Sequence, residues 1–213
     1  MEFLSSELNA YVEAHTSPEP VLLSELNRET NAKVLMPRML SGHLQGQVLT
    51  MLSRMIQPKQ VLEIGTYTGY SAICLASGLQ PGGCIQTIDI NEELTSMVKH
   101  YIRAAGLIEK VKIHTGNALT IIPRLNEMFD LVFIDADKIN YSNYYDLVFD
   151  KVKSGGFMIA DNVLWSGKVL EKESDMDSDT KAIVDFNKKV HEDKRVHHVL
   201  LPVRDGLMVM RKL

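Results

Sequence analysis

Short, largely apolar runs from residue 61 onward end repeatedly at glycine, acidic or amide residues. Each run has four to six residues and is bounded by turn-forming residues. Such runs are typical of parallel strands buried on both faces. In an open α/β sheet, ligands bind outside the carboxyl ends of the strands, so we expect these residues to share one crevice. The three runs are 61–64 before Gly65, 129–134 before Asp135, and 157–160 before Asp161 and Asn162.

The rest of the pattern predicts helices and an antiparallel hairpin. Residues 1–57 keep helical spacing except around 17–20, and Pro58 ends this stretch. Two final apolar runs, 196–201 and 207–210, are joined by five residues that end in Asp-Gly, which predicts a β-hairpin. The other predicted elements are strands at 84–88 and 111–114, a helix that starts at Asn91, and a helix over 178–192.

These elements predict one α/β domain over residues 1–213. Its sheet would have seven strands, mostly parallel, with a C-terminal antiparallel hairpin and helices on both faces. Residues 1–57 would form an N-terminal helical cap segment, and residues 58–213 a Rossmann-like core. A length of 213 residues fits a single domain of this kind.

Composition narrows the class of protein. The net charge of −4 argues against a dedicated nucleic-acid binder, which usually carries a basic patch. Cys74 and Cys84 form no CxxC pair, as expected for two small buried residues in a reducing compartment. The N-terminus does not read as a signal peptide, and no apolar stretch of about 18 residues predicts a membrane span. We therefore expect a soluble cytoplasmic protein.

The glycine turn after the first run predicts a cofactor site. Its spacing, Gly65-x-x-x-Gly69, lacks the dinucleotide fingerprint and so argues against an NAD dehydrogenase. Glu63 would repel a pyrophosphate but suits a ligand with a cationic amino group, such as S-adenosylmethionine (SAM). Asp89, about 20 residues past the turn, is placed to bind ribose hydroxyls. The alternatives are a turn that only packs strand on helix and an acid that only stabilises a helix start.

Asp135, Asp161 and Asn162 are the candidate metal ligands. They offer hard oxygen donors without Cys or His, which favours Mg²⁺, Mn²⁺ or Ca²⁺ over zinc. A divalent cation nearby would disfavour the charged form of Lys138, which could then act as a general base. Trp165, the only tryptophan, could form a wall for an aromatic substrate. The alternatives are two unrelated helix caps, a solvated surface lysine and a simple loop anchor.

Four ordered segments carry a resemblance to a known family. Together they resemble the cation-dependent O-methyltransferases, the family of the caffeoyl-CoA and catechol O-methyltransferases, with the Rossmann-like class I methyltransferase fold. The resemblance covers nearly the whole chain from Met39 onward. The four segments are 63–71, 135–141, 161–165 and 201–206.

The resemblance implies a role for each matching residue. Asp135, Asp161 and Asn162 match the metal ligands, and Lys138 matches the catalytic lysine. Lys138 and Asn162, with Trp165, would also contact the substrate. Family members are commonly homodimers. The residues that match cofactor contacts are Met39, Ser41, Glu63, Gly65, Ser71, Asp89, Ala118, Asp135 and Tyr144.

The expected activity is transfer of a methyl group from S-adenosyl-L-methionine to a hydroxyl of a catechol-type small molecule, with Mg²⁺ or a similar cation. The acidic loop 171–179 would disfavour polyanionic acceptors if it formed a lid. Two other acceptors stay open: the 5-hydroxyuridine of a tRNA and a caffeoyl-CoA-type thioester. A non-catalytic binding module is a further alternative, against which the combined metal, lysine and cofactor motifs argue.

Overall fold

The computed structural model describes residues 4–213, and the part of the predicted cap segment at residues 1–3 lies outside the described residues. The described chain contains a seven-stranded sheet in the order β3-β2-β1-β4-β5-β7-β6. Strands β1 to β5 pair in parallel, and β7 is antiparallel to both β5 and β6. The predicted fold class is therefore confirmed. The strands are β1 (Gln60–Ile64), β2 (Cys84–Asp89), β3 (Val111–Thr115), β4 (Phe129–Ile134), β5 (Val152–Asp161), β6 (Val196–Leu201) and β7 (Leu207–Lys212).

Eight α-helices surround the sheet in the described part of the chain. The helix predicted over 178–192 is confirmed with the same bounds. The helix predicted from Asn91 starts later, because Asn91 caps a short 3-10 turn, Glu92–Leu94, that precedes it. The helices are α1 (Ser6–Ala14), α2 (Val21–Lys33), α3 (Gly42–Ile56), α4 (Tyr70–Ala76), α5 (Thr95–Ala104), α6 (Ala118–Ile121), α7 (Tyr141–Phe149) and α8 (Ser178–Glu192).

Both faces of the sheet are buried, which explains why its central strands are continuously apolar. Successive side chains of a strand point to opposite faces. On β4, Leu131 and Phe133 join a core with residues of α2 to α5, whereas Val132 and Ile134 join a second core with residues of α7 and α8. A strand covered on both faces needs apolar residues at every position, unlike the alternating strands of a half-exposed sheet.

The strand order fixes where a site can form. The chain passes from β1 to β2 and β3 on one side of the sheet, and β4 and β5 continue on the other side. The boundary between β1 and β4 is a topological switch point, where a crevice opens outside the strand ends. No helix within residues 4–213 is long and apolar enough to cross a membrane. The division into a cap segment and a Rossmann-like core stays a prediction.

Candidate active site

A cavity of about 1680 Å³ lies at the carboxyl ends of the central strands. Most of the predicted site residues line it, so the structure gathers them in one place. Glu63, Ser41 and Ser71 do not line the cavity and are buried. The predicted residues that do line it are Met39, Gly65, Asp89, Ala118, Asp135, Lys138, Tyr144, Asp161, Asn162 and Trp165.

Gly65 is required by close packing between two strand ends. It has a φ of +103°, and an added Cβ would lie 1.9 Å from the carbonyl oxygen of Asp135. The N–H of Asp135 also donates to the carbonyl of Ile64 at 2.8 Å. The missing side chain of Gly65 therefore has a packing role. The structure shows that it first allows the chain after β1 to lie against the chain after β4.

Glu63 lies beneath the cavity and is fully buried. Its carboxylate accepts hydrogen bonds from the hydroxyls of Ser71 at 2.6 Å and Thr87 at 2.5 Å. Burial raises the pKa of Glu63 to about 8, although these two hydrogen bonds oppose the rise. A buried carboxyl with two bound hydroxyls is suited to a cationic partner, because a positive charge nearby would restore its ionised form.

Asp89 lines the cavity at the end of β2 and binds two backbone groups. Its Oδ2 accepts from the N–H of Tyr67 at 2.7 Å, and its Oδ1 accepts from the N–H of Asn91 at 2.8 Å. These bonds hold the glycine turn against the end of β2. A carboxylate has about four acceptor sites, so two backbone donors leave capacity for ribose hydroxyls. The structural and the ligand-binding interpretations of Asp89 are therefore compatible.

Lys138 is almost fully buried, with 8% of its surface exposed, so the solvated-surface alternative is wrong. Its ammonium donates to Asp135 Oδ1 at 3.1 Å, to Asn162 Oδ1 at 2.8 Å and to the Tyr141 hydroxyl at 2.6 Å. A positive charge thus lies between the oxygens of two predicted metal ligands. The hydroxyl of Tyr141 in turn donates to the backbone carbonyl of Asp161 at 2.9 Å.

Asp161, at the end of β5, has only 3% of its surface exposed. Its Oδ1 accepts from the N–H of Asn162 at 2.7 Å, and its Oδ2 accepts from the side-chain amide of Gln45. Burial and the negative charge of Asp135 raise the pKa of Asp161 to about 7. A buried carboxylate that lies beside a second negative charge forms a site that a cation would stabilise.

The donor set fits a hard divalent cation. Asp135, Asp161 and Asn162 provide two carboxylates and one carboxamide around the same part of the cavity. Within residues 4–213 no group of three or more His, Cys, Asp or Glu side chains could hold a metal. The candidate site therefore depends on the oxygen of Asn162, a ligand type that suits Mg²⁺, Ca²⁺ and Mn²⁺. Asn162 has a φ of +57°, which asparagine tolerates better than most residues.

The N-terminal segment reaches over the cavity. Met39 lines the mouth with 57% of its surface exposed, and Ser41 is buried beside it. Arg204 binds this segment, because its guanidinium donates to the carbonyls of Leu40, at 3.0 Å, and Ser41. Tyr144 and Asp137 also line the cavity, and the Tyr144 hydroxyl donates to the Asp137 carboxylate.

Trp165 forms part of the cavity wall near Lys138. The Lys138 ammonium lies 5.7 Å from the centre of the Trp165 ring. Trp165 also packs against the apolar core, so it is a loop anchor as well as a wall. The next residue, Ser166, is fixed by an N–H bond to Asp205 Oδ1 at 2.5 Å.

The loop after Trp165 is less negative at the cavity than its sequence indicates. Lys168 pairs with Asp177 at 2.7 Å, and Lys181 pairs with Glu173 at 2.9 Å. Of the five acidic residues of this loop, only Asp179 lines the cavity, and Lys168 lines it too. A lysine therefore faces the cavity beside the one acidic residue that does, and the electrostatic argument against polyanionic acceptors is weaker than the count of acidic residues indicates.

Two contacts of the site were not predicted from the sequence. The sequence assigns no role to Gln45, which binds Asp161, and includes Arg204 only within the matching segment 201–206. No local pattern could reveal the first contact, because 116 residues separate its partners. Tyr141 was placed in the matching segment but given no role. Its position three residues after Lys138 is the signal that places both on one side of a helix start.

Comparisons with known proteins identify O-methyltransferases as similar to this chain. A family model described as O-methyltransferase matches residues 13–213. The chain is 37% identical over 206 residues to a caffeoyl-CoA O-methyltransferase from Petroselinum crispum. That alignment covers 92% of this chain and 85% of the plant protein.

Solved structures share the fold over nearly the full length. An O-methyltransferase from Bacillus cereus, solved in complex with SAH, has a TM-score of 0.89 and 29% identity and covers 97% of each chain. An O-methyltransferase from Streptomyces achromogenes involved in tomaymycin synthesis, solved in complex with SAM, has a TM-score of 0.89 and 26% identity. It covers 97% of this chain and 96% of its own.

We predict that Glu63→Gln stabilises the ligand-free protein increasingly as the pH rises. The pKa of Glu63 is about 8 in the folded chain and near 4.5 when exposed. Between these values the unfolded chain releases this proton and the folded chain keeps it, so wild-type stability falls with rising pH. The glutamine variant lacks this loss. Urea unfolding at pH 5, 6, 7 and 8 measures the difference in free energy of unfolding.

The matched control is Glu192→Gln, because Glu192 is exposed at the end of α8. Its difference from the wild type should stay constant over the same pH range. A constant difference for Glu63→Gln would contradict the prediction and show that Glu63 is already ionised in the ligand-free fold.

Proposed function

The chain belongs to the O-methyltransferase family, and on that premise we propose that it methylates a hydroxyl of a catechol-type acceptor with a divalent cation as cofactor. Membership confirms the predicted enzyme class, a SAM-dependent O-methyltransferase. The catechol-type acceptor and the divalent cation are proposed. The single observation that supports it best is the pair of neighbouring carboxylates, the half-buried Asp135 and the buried Asp161, with Asn162 beside them at the cavity.

The cavity has room for a cofactor and an acceptor together. Its volume of about 1680 Å³ exceeds the roughly 300–1,000 Å³ of a typical small-molecule site. SAM would lie along the ends of β1 and β2, with its cationic amino group above Glu63 and its ribose hydroxyls at Asp89. Met39 and Ser41 would close over it. The SAM- and SAH-bound relatives support this assignment.

The cation would be held by Asp135, Asp161 and Asn162 beside the cofactor. When bound, it supplies Lewis-acid stabilisation of a deprotonated acceptor hydroxyl. In the ligand-free chain the Lys138 ammonium already supplies one positive charge between Asp135 and Asn162. This contact supports the proposal, because it shows that the oxygens are arranged around a position suited to a cation.

The protein's own groups would position the acceptor and manage its proton. Lys138 is fixed by Tyr141 and points into the cavity. As an ammonium it would stabilise the deprotonated acceptor oxygen, and as the neutral amine, which a nearby cation favours, it would take the proton of the acceptor hydroxyl. Trp165 would cover one face of a planar ring. Holding the acceptor oxygen in line with the methyl group would supply much of the rate enhancement. A vicinal dihydroxyphenyl ring suits this site because it presents two oxygens to one cation.

A caffeoyl-CoA-type thioester is the second candidate acceptor. It contains the same vicinal dihydroxyphenyl ring, and the curated relatives are named for it. Lys168 and Lys181 pair with two acidic residues of the loop. The loop therefore opposes an anionic CoA thioester less than its sequence alone indicates. The tRNA acceptor has less support, since the net charge is −4. A homodimer and a cytoplasmic location stay predictions.

We predict that activity requires a divalent cation and Asp161. Methyl transfer to caffeic acid should be lost in excess EDTA and restored by Mg²⁺. Asp161→Asn should reduce kcat/KM by at least 100-fold and leave the fold intact, because an amide of the same shape replaces a carboxylate at a strand end. Full turnover in EDTA would contradict the cation assignment. The control is Asp175→Asn, which removes an exposed carboxylate from the loop.

We predict that the acceptor class is set by the dihydroxyphenyl ring. Values of kcat/KM for caffeic acid and caffeoyl-CoA should both exceed that for hydroxyuridine-bearing tRNA by tenfold or more, about 1.4 kcal/mol of transition-state binding. If kcat/KM for caffeoyl-CoA exceeds that for caffeic acid by tenfold, the thioester is assigned as the acceptor. A preference for tRNA over both would contradict the small-molecule proposal.

A further inference from the structure

Gln45 connects helix α3 to the candidate cation site. It is 1% exposed, and its amide nitrogen donates to Asp161 Oδ2. Its amide oxygen accepts from Nη1 of Arg204 at 3.1 Å. A guanidinium only donates and a carboxylate only accepts, so these two neighbours fix the orientation of the amide. The interior position of Gln45 therefore places one polar side chain between a cation and an anion.

Arg204 connects the same amide to the segment that covers the cofactor region. We define residues 39–41 as the strap. Besides Gln45, Nη1 of Arg204 donates to the carbonyl of Leu40 at 3.0 Å and to the carbonyl of Ser41. Arg204 lies in the turn between β6 and β7 with a φ of +49°. One guanidinium thus binds the strap and, through Gln45, a candidate cation ligand.

We propose that Arg204 and Gln45 couple the strap to Asp161, so that SAM and the divalent cation strengthen each other's binding. This inference rests on the proposed function, in which Asp161 holds the cation and the strap covers SAM. Gln45 and Arg204 are positioning residues, because they touch Asp161 and the strap rather than the reacting atoms.

The coupling follows from how each ligand changes the chain of contacts. Without a cation, the Gln45 amide alone holds Oδ2 of Asp161 against the repulsion from Asp135. A cation fixes this carboxylate, which keeps Gln45 in place for Arg204. Arg204 then holds the strap in its closed position, which SAM also favours. A ligand shifts an equilibrium between two states of a protein only if its contacts differ between them. Here both ligands would favour the state in which the strap is held by Arg204. Linkage makes the effect reciprocal.

Isothermal titration of Mn²⁺, with and without saturating S-adenosylhomocysteine, tests this coupling. For the wild type we expect S-adenosylhomocysteine to lower the Mn²⁺ dissociation constant by about fivefold or more, within the usual range of coupling between sites. In Gln45→Met and in Arg204→Met the ratio should fall below twofold. Gln45→Met keeps the side-chain length, Arg204→Met keeps an unbranched apolar stem without the guanidinium, and thermal unfolding verifies that each is folded.

The matched control is Gln47→Met on the same helix. Gln47 donates to the carbonyl of Pro18 at 3.1 Å and has no contact with Asp161. It should keep the wild-type ratio. A ratio near one in the wild type, or a wild-type ratio retained in both variants, would overturn the coupling and leave the proposed function standing. No Mn²⁺ binding in either arm would instead overturn the proposed cation site and the coupling with it.

Discussion

The repulsion between two neighbouring carboxylates, the buried Asp161 and the half-buried Asp135, is the constraint on which the rest of the site depends. Strands β4 and β5 pair in parallel with Ile134 opposite Ala160, so Asp135 and Asp161 leave the sheet side by side. Burial and this proximity raise the pKa of Asp161 to about 7. The surrounding structure is arranged to offset that cost. The ammonium of Lys138 binds Asp135, and the amide of Gln45 binds Asp161.

Asp135 joins the cation-binding part of the site to the cofactor-binding part. The carbonyl of Asp135 presses against Gly65, and its carboxylate contacts Lys138. Any shift of the chain after β4 would therefore move the glycine turn and the candidate cation ligands together. This shared residue gives the two ligands a fixed relative position, which in-line methyl transfer requires.

Local sequence pattern was sufficient for the residues at the strand ends. Asp89, Asp135 and Asp161 each follow a short apolar run, and parallel strands must end at the same edge of a sheet. The C-terminal hairpin was predictable for a similar reason, because its turn chemistry is confined to five residues. The depth of Glu63 was not predictable. The sequence pattern predicts that Glu63 lies at the cofactor site. Its burial beneath the cavity depends on other elements, which contribute the hydrogen bonds from Ser71 and Thr87.

Contacts between distant segments lay beyond the sequence pattern. The bond of Gln45 to Asp161 joins residues 116 positions apart, and neither has a neighbour in sequence that signals the other. The charge that the loop after Trp165 presents to the cavity is likewise not readable from its sequence. Its acidic residues were counted, but Lys168 and Lys181 pair with two of them in the folded chain. Charge counts describe a segment, whereas a binding site responds to which charges face it.

The central claim is that Asp135, Asp161 and Asn162 hold a divalent cation beside the cofactor. A crystal structure of the protein with Mn²⁺ and S-adenosylhomocysteine, with anomalous scattering measured for manganese, tests it most directly. The account predicts one anomalous peak within roughly 2.0–2.6 Å of an oxygen of each of the three residues, with the Lys138 ammonium displaced from between Asp135 and Asn162. A cofactor-bound structure with no peak there, and with the Lys138 ammonium still bridging the two residues, would contradict it.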